Sequence, residues 1–119
     1  MIRAFTFRIS LVLAVILLCS YSAHAQDPLG ASMTLRVTGL TSETRDAIAR
    51  ELKASSDARL VFACVPAGLM VFSSPRPDTA QLRSAVSDQV SRAAAGRTTE
   101  EMNIGLSEAE ELCAQARNR

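Results

Sequence analysis

The stretch that most constrains this chain is "ARLVFACVPAGLMVFSS", residues 58–74. Two apolar runs, 60–65 and 69–72, flank Pro66, Ala67 and Gly68. Proline and glycine between apolar runs are turn chemistry, so the runs read as the strands of a hairpin. Side chains along a strand alternate between its faces. Leu60, Phe62 and Cys64 then share one face, and Val61, Ala63 and Val65 the other. A hairpin apolar on both sides needs a cover on each, at least near the turn.

The rest of the chain supplies candidates for those covers. Met33, Leu35 and Val37 alternate with Thr34, Arg36 and Thr38, the period of a half-buried strand. Gly39 breaks it. Thr41 or Ser42 can then cap a helix whose first turn carries Glu43 and Asp46, and whose apolar face carries Ile48 and Leu52. After the hairpin, Asp78 and Gln81 form a capping box. Leu82, Val86 and Val90 recur every four residues behind it, and Gly96 is placed to stop that helix. Met102, Ile104 and Leu106 alternate as a short fourth strand. Ser107 and Glu110 form another box, opening a last helix with Ala109, Leu112, Cys113 and Ala116 on one side.

Residues 1–25 read as a secretory signal peptide. Arg3 and Arg8 precede the apolar run at 9–19, and Ala23, His24 and Ala25 form a small-residue cleavage site. The run is shorter than the roughly 20 residues a membrane span needs. Cys19 also admits a lipoprotein reading, against which Leu18 stands where such signals carry a small residue. Cleavage after Ala25 leaves one small domain, residues 33–119, behind a flexible polar lead at 26–32. Cleavage also changes the chemistry on offer. The only histidine (His24), the only tyrosine (Tyr21) and Cys19 are removed. Of 13 basic residues Arg3 and Arg8 go, leaving 11 against 12 acidic ones, a net charge of −1. Such a balance gives no footprint for nucleic acid or an anionic membrane. The remaining pair, Cys64 and Cys113, reads as a disulfide in an exported domain. A bridge there restricts the unfolded chain by roughly 4 kcal/mol on the loop-entropy model.

The order is thus β-α-β-β-α-(β)-α. It predicts an α+β domain: a ferredoxin-like βαββα(β) sandwich with an extra C-terminal helix, held to the hairpin by the disulfide over the second apolar face. Strand, then "GLTSETR", then helix, hairpin and second helix, residues 33–96, resembles the heavy-metal-associated domain. The signature of that family is Gly-Met-Thr-Cys-x-x-Cys at the first strand-to-helix junction. Gly39 and Thr41 match it, and Leu40 replaces the methionine. The two metal thiolates would fall at Ser42 and Arg45. Soft thiolates suit Cu(I), whereas a serine hydroxyl is a hard, weak ligand and arginine a permanent cation. The resemblance therefore implies the fold and a retained structural loop (Gly39, Leu40, Thr41, Ser42, Arg45), and neither metal nor cofactor at it.

Several functional readings remain on these residues. Ser42 and Arg45 could bind an anion at the helix end, against a plain cap with a solvated arginine. Met33, Met70 and Met102 could form a thioether copper site, against core packing. Cys64 and Cys113 lack the Cys-x-x-Cys spacing of a redox pair. Catalysis is disfavoured, since no histidine or tyrosine survives cleavage and Lys53 is the only lysine. Nucleic-acid binding is disfavoured because Phe62 and Phe72 are the only mature aromatics and both sit at core positions. The expectation is a non-enzymatic protein-binding or adaptor domain, periplasmic or secreted. Its partner would be another exported protein, and it would not insert in a membrane once the signal is removed. The alternative is periplasmic copper handling through Cys64, Cys113 and Met70. A third reading, by fold analogy alone, is a small inhibitor or folding assistant.

Overall fold

The computed structural model describes residues 30–119. The expected signal peptide and residues 26–29 of the lead lie outside the described residues. The elements are β1 (Ala31–Val37), α1 (Ser42–Ser55), β2 (Arg59–Cys64), β3 (Leu69–Ser74), α2 (Thr79–Ala93), β4 (Thr99–Met102) and α3 (Leu106–Arg117). The fold is α+β: one antiparallel four-stranded sheet, in the order β2-β3-β1-β4, with three helices. Both β1 and β2 pair antiparallel with β3, so they run parallel to each other with β3 between them. This arrangement is compatible with a ferredoxin-like sandwich.

Alternation along β1 and the apolar faces of α1 and α2 build the larger core. Met33, Leu35 and Val37 meet Met70 and Phe72 of β3 on one sheet face. Ile48 and Leu52 of α1 and Leu82, Val86 and Val90 of α2 close over them. Each helix begins where its sequence provides a cap. Thr41 Oγ1 accepts the Thr44 amide, and Asp78 Oδ1 accepts the Gln81 amide.

The opposite face carries the second core. Leu69 and Val71 of β3 and Cys64 of β2 pack against Ala109 and Cys113 of α3, with Phe62, Met102 and Leu112 at the margin. Cys64 and Cys113 are joined by a disulfide across 49 positions, with their Cα atoms 5.8 Å apart. The apolar second face of the hairpin thus has its cover, the C-terminal helix.

Several local expectations are corrected. The lead was expected to reach residue 32, yet Ala31 and Ser32 belong to β1. The Ala31 amide donates to the Arg76 carbonyl at 3.1 Å, and the strand pairs Ala31 with Ser74. Leu60 does not share a face with Phe62 and Cys64. The β2–β3 register shifts between Leu60 and Phe62, so Leu60 joins the first core while Phe62 and Cys64 join the second. The extra residue of this bulge, Val61, is 49% exposed. Thr34 does not face water. It is buried under the segment after β4, where its hydroxyl donates to the Ile104 carbonyl. The fourth strand is Thr99–Met102, earlier than the alternation at 102–106 implied, because those residues pair with β1. Leu106 instead opens α3 and is exposed. The Ser107 box does not form, since Gly105 holds the capping position without a side-chain bond. Helix α2 ends at Ala93, before Gly96, which takes φ +79° in the following turn.

Candidate functional site

The β1–α1 junction is the one place where the sequence offered a ligand loop, and its geometry is that of a closed turn. The Thr38 amide donates to the Thr98 carbonyl at 2.9 Å, which ends β1. Gly39 then turns with φ +68°, a left-handed conformation that side chains disfavour. Leu40 drops into the first core and is buried. Thr41 is extended (φ −112°, ψ 162°) and caps the helix. Its hydroxyl accepts the Thr44 amide at 3.2 Å and donates to the Thr44 hydroxyl at 3.0 Å. Its carbonyl accepts the Arg45 amide at 3.0 Å.

Ser42 and Arg45, where a metal-binding loop would carry thiolates, are the first and fourth residues of α1. That spacing puts them on neighbouring turns of one helix face. Ser42 is exposed. Arg45 Nε lies 3.0 Å from Asp46 Oδ1, so its charge is partnered at the surface by the next residue. The pair offers a hydroxyl and a guanidinium, neither of which is a ligand for a soft cation.

The clasp on this loop has no local signal in the sequence. Arg97 Nη1, from the turn after α2, donates to the Gly39 carbonyl. The contact spans 58 positions and ties the junction to the entrance of β4. A second pair also links residues distant in sequence. Arg83 of α2 and Glu101 of β4 form a two-point ion pair, with N–O distances of 2.9 and 3.0 Å. The hydrogen bond from Arg83 holds the Glu101 carboxyl below the usual glutamate range, and the same bond raises Arg83. Both side chains are about half exposed, so solvent screens the interaction.

The sulfur atoms do not converge on a site. Met33 and Met70 lie in the first core and Met102 borders the second, with the sheet between them. Cys64 and Cys113 are spent on each other, and Met70 faces away from them. Among the described residues no group of three or more histidine, cysteine, aspartate or glutamate side chains gathers to hold an ion. An open groove of about 440 Å³ runs past Ser55, Asp57, Arg76, Gln81 and Ser84. Arg76 Nε and Asp57 Oδ2 pair across it at 3.0 Å. It contains hydroxyls and an already paired charge, with no nucleophile–base couple. Among the described residues no helix is long and apolar enough to cross a membrane.

No family model matches the chain, and neither the curated proteins nor the solved structures include a significant match to it.

Proposed function

We propose that this chain is an exported, non-enzymatic binding or adaptor domain. It has a ferredoxin-like sandwich similar to the heavy-metal-associated domain, with the metal ligands of that loop replaced. One observation supports the reading: three polar groups of the β1–α1 junction are used to close it. Thr41 is occupied by Thr44, the Gly39 carbonyl by Arg97, and Arg45 by Asp46. A loop whose capping hydroxyl, glycine carbonyl and guanidinium are engaged within the fold supports a structural role over a ligand-binding one.

The contact surface in this reading is the free edge of β2. Among the described residues both outer strands, β2 and β4, have an unpaired side. On β4, Glu100 and Glu101 are exposed charges, which oppose strand addition. On β2, Val61 is an exposed apolar side chain. Val61 is itself the extra residue of the bulge, which limits ladder pairing. A partner would therefore meet its side chain and pair with only a short stretch of β2. The partner is another exported protein, periplasmic or extracellular.

The test is site-specific photo-crosslinking in cells that export the chain, with the probe at Val61 or at Glu100. The reading expects a discrete adduct from position 61 and none from position 100. Equal labelling at the two edges, no adduct at 61, or a stoichiometric transition metal in the purified protein contradicts it.

A further inference from the structure

We infer that α3 is a cover latched by the Cys64–Cys113 disulfide, so that reduction releases it while the rest of the domain stays folded. The two cores are unequal. Among the described residues, fourteen buried side chains form the α1/α2 side and five form the α3 side. Two of those five are the bonded cysteines themselves.

Little else holds α3. Among the described residues no ion pair and no side-chain hydrogen bond joins Leu106–Arg117 to the sheet or to the other helices. The Thr34 bond to Ile104 anchors the segment before the helix and so marks the hinge. Beyond it, Gly105 starts α3 without the side-chain cap that Thr41 and Asp78 give α1 and α2. An uncapped helix of 12 residues is marginal in water unless packing supports it.

The face beneath α3 is the smaller of the two apolar faces of the sheet. On its β1 side it carries Ser32 and Arg36, both exposed, and Thr34, which is buried by its bond to Ile104 ahead of the helix. Its apolar part is small: Cys64, Leu69 and Val71 are buried there, with Phe62, Ala67 and Met102 at the margin. The larger core lies on the far side of the sheet and shares no side chain with it. Losing α3 therefore removes one small cooperative unit, the behaviour of a separate foldon.

The chemistry is a thiol–disulfide exchange with an external dithiol. The Cys64–Cys113 S–S bond breaks, two protein thiols form, and the dithiol leaves as its own disulfide. Cys64 is 0% and Cys113 3% exposed, so the dithiol reaches the bond only when α3 lifts. That opening is local, with α3 still tethered at Cys113, and full release follows only once the bond is cut.

Hydrogen–deuterium exchange on the full chain, oxidised and after dithiothreitol with thiol alkylation, tests the latch. We expect amides of 106–117 to exchange at least about tenfold faster after reduction, with α1 and α2 within about twofold. A Cys64→Ala/Cys113→Ala variant should reproduce the pattern without reductant. Loss of protection in α1 and α2 together with α3 overturns the inference, as does unchanged protection in α3.

Discussion

Thr34 and Ile104, 70 positions apart, are joined by a hydrogen bond of 3.0 Å from the threonine hydroxyl to the isoleucine carbonyl. The bond seals the side of β1 that alternation assigned to solvent, and it fixes the segment leading into α3. Thr34 is 1% exposed and Ile104 half-buried, so water replaces a lost donor poorly. Thr34→Val keeps the shape and the strand preference and leaves the carbonyl unpaired. The expected loss is about 1–3 kcal/mol, read as a lower urea midpoint at unchanged slope.

Gly68 is required twice over. It takes φ +68° at the end of the hairpin turn, and a Cβ there would lie 2.6 Å from the Val37 carbonyl oxygen. The same neighbours are bonded, since the Val37 amide donates to the Gly68 carbonyl at 2.7 Å. Gly68→Ala must strain the turn and push β3 from β1. A loss of at least about 1–3 kcal/mol follows, measured by the same denaturation. Gly39, with the same φ, has no atom within 4 Å of a Cβ, so Gly39→Ala should be milder.

The Arg97 clasp predicts a local effect. Arg97→Ala frees the Gly39 carbonyl to water at the surface, with an expected cost of about 0.5–1.5 kcal/mol. Amide chemical shifts should move at 38–41 and at 98–99 and leave α3 unchanged. Shifts spread through α3 would mean that the two ends of the sheet are coupled in a way the contacts do not provide.

The Arg83–Glu101 pair gives stability a pH dependence of known sign. The folded-state pKa of Glu101 lies below its unfolded value. Its contribution is therefore complete above the usual glutamate range and is lost as pH falls through the folded value. Glu101→Gln should flatten that acid limb and leave the curve above it parallel to the parent. Added salt should shrink the difference between the two proteins, because the pair is solvent-screened. A difference that grows as pH falls would contradict the assignment.

The sequence shows what is local and conceals what is distant. Period-two alternation marked Met33, Leu35 and Val37, and four-residue spacing marked Leu82, Val86 and Val90, because burial selects those positions directly. The caps, at Thr41 or Ser42 and at Asp78, were legible for a different local reason, since a short polar side chain there can accept a helix-start amide. Val61 gives no sign of being a bulge, since only the pairing with β3 reveals the extra residue. The alternation at Met102, Ile104 and Leu106 misplaced β4, whose bounds are set by contact with β1. The loop residues Gly39 to Arg45 were found, but Arg97, 58 positions away, carries no local signal for the contact that closes them.

The account depends most on Cys64 and Cys113 being joined, so that sulfur closes the second sheet face and is not free for a ligand. Peptide mapping of the native protein, alkylated under denaturing conditions without reductant, tests this directly. The account predicts a disulfide-linked peptide pair containing Cys64 and Cys113, with no alkyl label on either. Label on both cysteines would contradict it.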